Sequence, residues 1–80
     1  MTAYRVSVYY KEDIYLPSPQ DVFFYLLNNH IAYEEIVKAY NWCQTSKKND
    51  VYENHYVYIE IVRFSLKEKN WKNFQKTVYI

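Results

Sequence analysis

Glycine is absent from this chain of 80 residues, and cysteine, proline and methionine are scarce. Phosphate-binding loops of the P-loop and dinucleotide types depend on glycine, because their backbone takes positive φ values and approaches the ligand closely. The missing glycine argues against both kinds of nucleotide site. We expect the protein to use no cofactor.

The single cysteine, Cys43, cannot form a disulfide within the chain. Small secreted domains usually depend on several disulfides, so the secreted class loses support. The sequence also contains neither an apolar run of about 18 residues nor the pattern of a secretory signal. We therefore predict a cytoplasmic protein that makes no use of a membrane.

An excess of one charge is also missing, because 10 basic and 9 acidic residues give a formal net charge of +1. This balance creates no overall field that attracts nucleic acid or anionic lipid. Hydrophobic residues, in contrast, make up 50% of the chain and aromatic residues 21%, with 11 tyrosines among them. Such a composition is typical of an ordered chain, and its length predicts one compact domain over residues 1–80.

The first half of the chain predicts a strand followed by helical structure. Residues 3–10 alternate as a strand with one buried face does, and residues 14–16 form a short extended return. Ser18 then precedes Pro19, the preferred arrangement of an N-cap residue and the first helical position. Apolar residues at helical spacing continue to Cys43 within a helical region of residues 19–46, and Asn28-Asn29-His30 marks the end of one helix and the start of another. One kinked helix is the alternative.

The second half predicts two strands. The first is rich in tyrosine and runs from about Val51 to Leu66, with a bulge near Ile61. Residues 74–80 alternate again and favour a strand, although a helix opening at Ser65 is the alternative for the region before it. The sequence thus predicts an α+β fold in the order β-α-α-β-β, a small, mainly antiparallel three-stranded sheet with one or two helices packed on one face.

The segment 52–60, YENHYVYIE, repeats tyrosine at even positions. In one continuous strand, Tyr52, Tyr56 and Tyr58 would share the face opposite the core. The high strand propensity of tyrosine explains this pattern without a function, whereas the enrichment of tyrosine at interfaces favours a recognition surface. We interpret the face as a protein-binding surface. Its predicted partner-binding residues are Arg5, Tyr9, Tyr52, Tyr56, Tyr58, Glu60 and Tyr79.

No arrangement of catalytic or metal-binding residues emerges from the sequence. His30, Cys43 and His55 are the candidates for a metal ligand or a nucleophile, but their separations match no zinc site. Cys43 lies on an apolar helical stripe, where a small core residue is a simpler interpretation than a catalytic thiol. The acidic pairs at 12–13 and 34–35 are expected to be solvated. We therefore predict a protein that is not an enzyme and binds no metal.

These features favour a non-catalytic module that binds another protein. Lys, Asn, Tyr, Ile and Phe have A/T-rich codons and are abundant, which fits an inhibitor encoded by a phage or another mobile element, or a protein of a low-GC bacterium. One alternative is a domain for single-stranded RNA or DNA, in which bases stack on the tyrosines and the lysines of residues 67–76 contact phosphate. Another is a structural homodimer in which two tyrosine faces meet.

Overall fold

The computed structural model describes residues 2–63, which form four strands and two helices. The elements in chain order are β1 (Thr2–Val8), β2 (Ile14–Leu16), α1 (Pro19–Asn28), α2 (Tyr33–Thr45), β3 (Val51–Glu53) and β4 (Val57–Arg63). The strands lie in the order β2-β1-β4-β3, and every neighbouring pair is antiparallel. The α+β class and the antiparallel sheet are confirmed, but the described part of the sheet has four strands and not three.

Two features account for the four strands: the short extended return at residues 14–16 pairs with β1 as β2, and the predicted tyrosine strand is interrupted. Asn54 accepts hydrogen bonds at its side-chain oxygen from the N–H groups of Tyr56 and Val57, at 2.8 and 2.9 Å. This side-chain turn reverses the chain, so that β3 and β4 form a hairpin. One continuous strand from residue 51 was therefore a wrong prediction, and so was the bulge, because β4 pairs with β1 without interruption. The strand predicted over 74–80 lies outside the described residues.

The core lies between the sheet and the two helices. Antiparallel pairing places Val6 opposite Ile59 and Val8 opposite Val57, with their side chains on the face that the helices cover. Burial of such a side chain stabilises the fold by roughly 1.5–3 kcal/mol. The alternation predicted for β1 and β4 is confirmed here. From the helices, the core receives Val22, Leu26, Ile36, Ala39 and Cys43.

The ends of α1 are fixed by local hydrogen bonds. Ser18 caps the start, because its hydroxyl accepts a hydrogen bond from the N–H of Asp21 at 3.3 Å, as predicted. At the other end, the N–H of Ile31 donates to the carbonyl of Leu26, and that of His30 donates to Leu27. This pair of bonds is a Schellman motif and separates α1 from α2. Two helices are therefore present, although α2 begins without a side-chain cap.

Glycine at position 30 is expected to stabilise the protein. His30 has a φ of 62°, a left-handed conformation that costs an L-residue roughly 1–2 kcal/mol and costs glycine little. We expect His30→Gly to raise the free energy of unfolding by roughly 0.5–1 kcal/mol. Urea denaturation followed by circular dichroism measures this change. His55→Gly is the matched control, because His55 is exposed and has no positive φ to relieve. An equal gain in both variants would contradict the explanation.

Candidate protein-binding site

On the sheet face away from the helices, Arg5 is the centre of a polar cluster. Its guanidinium donates hydrogen bonds to the Tyr58 hydroxyl, at 3.1 Å, and to the Glu60 carboxylate. The Tyr58 hydroxyl also donates to Glu60, at 2.9 Å, and the Arg5 guanidinium lies 5.3 Å from the centre of the Tyr58 ring. Asp13 adds a carboxylate 3.8 Å from Arg5. The structure therefore brings together Arg5, Tyr58 and Glu60, as the strand pattern predicted.

The groups of this cluster bond mainly to one another, although the buried Arg5 Nε atom has no hydrogen-bond partner among residues 2–63. Arg5 and Glu60 each use their charge on the other, and Tyr58 is only partly exposed. On the same face of β1, Ala3 and Ser7 are buried. The centre of the face is thus a partly buried polar surface and not the open array of rings that the sequence predicted.

Tyr52 lies on the opposite side of the sheet from the position predicted for it. It pairs with Ile59, whose side chain faces the core, and its ring packs against Trp42 with 5.6 Å between the ring centres. The predicted common face of Tyr52, Tyr56 and Tyr58 is therefore wrong. The reason is the turn at Asn54, because alternation can be counted only within one strand.

Three exposed tyrosines lie together at one end of the sheet, where the β1–β2 and β3–β4 turns meet. Tyr9, Tyr10 and Tyr56 are 47%, 52% and 44% exposed, and we call these three residues the tyrosine end. The N–H of Tyr9 donates to the carbonyl of Tyr56 at 2.6 Å, and their rings meet edge to face with 6.2 Å between centres. The Tyr10 hydroxyl donates to the carbonyl of Asn54 at 2.6 Å. These contacts hold the two turns side by side.

Tyr9 and Tyr56 were predicted as partner-binding residues, whereas Tyr10 was counted only as the last residue of the predicted strand 3–10. The strand ends at Val8, and Tyr10 belongs to the following turn. The polar residues from Lys11 onward were the signal that a turn was close. Tyr79 lies outside the residues that the structure describes.

The turn that carries Tyr9 and Tyr10 is strained. Their φ values are 53° and 54°, and the turn is closed by a hydrogen bond from the N–H of Lys11 to the carbonyl of Val8, at 3.3 Å. Two central residues of positive φ are typical of a type I′ turn, in which Asn-Gly is preferred. Bulky residues in this conformation cost roughly 1–2 kcal/mol each. Backbone strain of this kind is concentrated at functional sites. It is therefore a second reason, besides their exposure, to include Tyr9 and Tyr10 in the candidate site.

A second exposed apolar surface lies on the helices. Phe24 and Tyr33 are 59% and 66% exposed, and Leu27, which helical spacing placed on the buried stripe, is exposed as well. Phe23 lies at its centre and makes edge-to-face contacts with the rings of Phe24, Tyr33 and Tyr40, at 5.7, 6.3 and 5.7 Å. This surface was not predicted from the sequence, because the helical spacing was used only to identify core positions.

The candidates for metal binding and nucleophilic chemistry lie apart. Within residues 2–63, no group of three or more His, Cys, Asp or Glu side chains could hold a metal ion. Cys43 is buried, and burial raises the pKa of its thiol to about 12, so that it is protonated at neutral pH. Neither helix of this region has the length and apolar character needed to cross a bilayer.

Alanine at position 52 should destabilise the protein more than alanine at position 56. The Tyr52 ring packs on the core and on Trp42, whereas Tyr56 is exposed and, among residues 2–63, its ring contacts that of Tyr9 alone. We expect Tyr52→Ala to lower the free energy of unfolding by roughly 1–3 kcal/mol and Tyr56→Ala by less than about 1 kcal/mol. Thermal or urea unfolding of the two variants tests the register. A larger loss in Tyr56→Ala would show that the side chains are assigned to the wrong faces.

The buried thiol should also make stability depend on alkaline pH. Folding raises the pKa of Cys43 from 9.0 to about 12, so the unfolded chain loses this proton first as the pH rises. The contribution of Cys43 to stability is therefore complete below pH 9.0 and declines between pH 9.0 and about 12. Unfolding measured across this range, in the wild-type protein and in Cys43→Ala, should show a steeper decline in the wild-type protein. Parallel curves would contradict the expectation, as would rapid reaction of the native thiol with a disulfide reagent.

In comparisons with known proteins, no protein family, no curated protein and no solved structure matches this chain. Its function is therefore inferred from the geometry of the residues themselves.

Proposed function

We propose that this protein is a non-catalytic module that binds another protein through the tyrosine end and the adjoining part of the open sheet face. The observation that carries the proposal is the tyrosine end itself. Two turns far apart in sequence hold three exposed rings side by side, and two of these rings stand on residues with unfavourable φ values. Glycine at positions 9 and 10 would relieve the backbone strain. The presence of tyrosine there is therefore best explained by a function of the two side chains.

The chemistry of the tyrosine end suits protein recognition. A tyrosine buries a large area with few rotatable bonds, and such rings commonly dominate the energy of interfaces. Hydrogen bonds between the turns fix Tyr9 against Tyr56 and Tyr10 against Asn54 before any partner arrives. This order lowers the entropy that is lost on binding. Three rings and the edge of the sheet supply a substantial part of the roughly 800 Å² that a stable interface takes from each partner.

Arg5 and Glu60 have a supporting role in this proposal. Both are partly exposed on the sheet face that leads to the tyrosine end, where their opposite charges can fix the orientation of a partner. Because each already neutralises the other, they contribute more to specificity than to affinity. Tyr58 joins them as the ring on which the Arg5 guanidinium stacks.

A more specific form of the proposal is that the protein inhibits its partner by occupying the partner's functional surface. A small domain that offers a preformed aromatic surface can block a protein simply by covering its functional surface. An A/T-rich codon preference, inferred from the abundance of Lys, Asn, Tyr, Ile and Phe, supports an origin in a phage, another mobile element or a low-GC bacterium. The partner is then a host or defence protein in the cytoplasm, or another subunit of a bacterial complex.

Serine at position 56 should weaken partner binding while leaving the fold intact. Loss of a central aromatic contact at an interface costs roughly 2 kcal/mol or more, which corresponds to at least about 30-fold in affinity. The wild-type protein, tagged and expressed in its native host, identifies the partner by affinity capture and mass spectrometry, and Tyr56→Ser is then compared with it. Tyr33→Ser is the matched control, because Tyr33 is an exposed tyrosine on α2. We expect recovery of the partner to fall for Tyr56→Ser only.

Three outcomes would overturn this function. One is the absence of any stoichiometric protein partner for the folded wild-type chain. Another is a mobility shift with single-stranded RNA at low salt that disappears at moderate salt, which would favour nucleic acid. A third is a dimer in light scattering that dissociates in Tyr56→Ser, which would make the tyrosine end a contact between copies of this chain.

A further inference from the structure

A cleft of about 810 Å³ lies between the β1–β2 connection and α1. This volume falls within the range of about 300–1,000 Å³ that ligand sites occupy. Its apolar wall is formed by Val8, Ile14, Leu16, Phe24 and Tyr25, and acidic side chains and the end of α1 complete the lining. Tyr9 also lines the cleft, so the cleft adjoins the tyrosine end directly.

The lining carries more negative than positive charge. Three carboxylates, those of Glu12, Asp13 and Asp21, oppose one ammonium group, that of Lys11. Asp13 is partly neutralised by Arg5 at 3.8 Å, and Asp21 accepts a hydrogen bond from the Ser18 hydroxyl at 2.7 Å.

Glu12 is the carboxylate that remains available. Throughout residues 2–63, no side chain forms an ion pair or hydrogen bond with it. The charge of Glu12 nevertheless acts on Tyr25, which forms part of the apolar wall of the cleft. Burial raises the pKa of Tyr25, and the carboxylate of Glu12 raises this pKa further.

The end of α1 adds a second source of negative potential. Asn28, Asn29 and His30 close one side of the cleft, where the helix ends. The C-terminus of a helix carries partial negative charge, and the last turn of α1 contains no basic residue to offset it. Carboxylates and helix dipole therefore favour the same kind of ligand, a cation.

We propose that this cleft receives an arginine side chain of the partner protein. The inference rests on the proposed function and names the chemistry of one contact within it. A guanidinium group can donate two hydrogen bonds to Glu12 and lie against the rings of Phe24 and Tyr25, while its aliphatic stem packs on the apolar wall. Because Tyr9 belongs both to the cleft and to the tyrosine end, one partner surface can cover the two together.

The test uses a small probe and the isolated protein. N-acetylarginine amide is titrated against the ¹⁵N-labelled chain, with N-acetylcitrulline amide as the uncharged isostere. We expect saturable shifts of the amide signals of Glu12, Phe24 and Asn28 with the arginine compound, with a dissociation constant in the millimolar range. The citrulline compound should cause much smaller shifts. Higher salt should weaken the binding, because the charges are partly exposed.

Glu12→Gln should weaken binding of the arginine compound roughly two- to five-fold, as expected for a partly exposed ion pair. Glu34→Gln is the matched control, because it makes the same change in net charge on a residue outside the cleft. Equal binding of both compounds, shifts elsewhere in the spectrum, or equal effects of the two variants would overturn the inference. The proposed function would survive each of these results, because it depends on partner capture by the tyrosine end.

Discussion

The pairing of β1 with β4 is the interaction on which the rest of this structure depends. Seven consecutive residue pairs, from Thr2 opposite Arg63 to Val8 opposite Val57, join segments that lie 49 to 61 residues apart. The two helices lie between these strands in the chain, together with β2 and β3, and they cover one face of the pair. The short strands β2 and β3 each add to an outer edge. A shift of one residue in this register would turn every core side chain to the other face.

This register also explains why the open face and the tyrosine end have different characters. In the middle of the paired strands, side chains directly opposite each other are close, and Arg5 meets Glu60 there. Just beyond the last pair, the rings of Tyr9 and Tyr56 contact each other, and both remain 44–47% exposed. The polar cluster therefore links the side chains of β1 and β4, whereas the rings at the end of the sheet stay exposed and can contact a partner. The pairing of β1 with β4 thus produces both the polar cluster and the tyrosine end.

Much of the fold could be predicted from local patterns, because those patterns report local physical chemistry. The alternation in β1 and the Ser18 cap were of this kind, and both are confirmed. Tyr52 and Tyr10 were misplaced because alternation carries no information across a turn, and two bulky residues at positive φ run against the usual preference for Asn-Gly. The cleft was beyond prediction for another reason. Its lining comes from two strands, the turn between them and α1, which only the tertiary fold brings together.

The absence of glycine has a consequence for the unfolded chain. Tyr9, Tyr10, His30 and Asn49 all adopt positive φ, where many proteins use glycine. A residue with a side chain has fewer conformations to lose, and a glycine replaced by alanine at a compatible position stabilises a protein by about 0.4–1 kcal/mol through this entropy. The denatured ensemble of this chain is accordingly narrower than that of a typical chain of its length. The turns are therefore ordered at a smaller entropic cost. This saving offsets part of the backbone strain that the turns carry in the folded state.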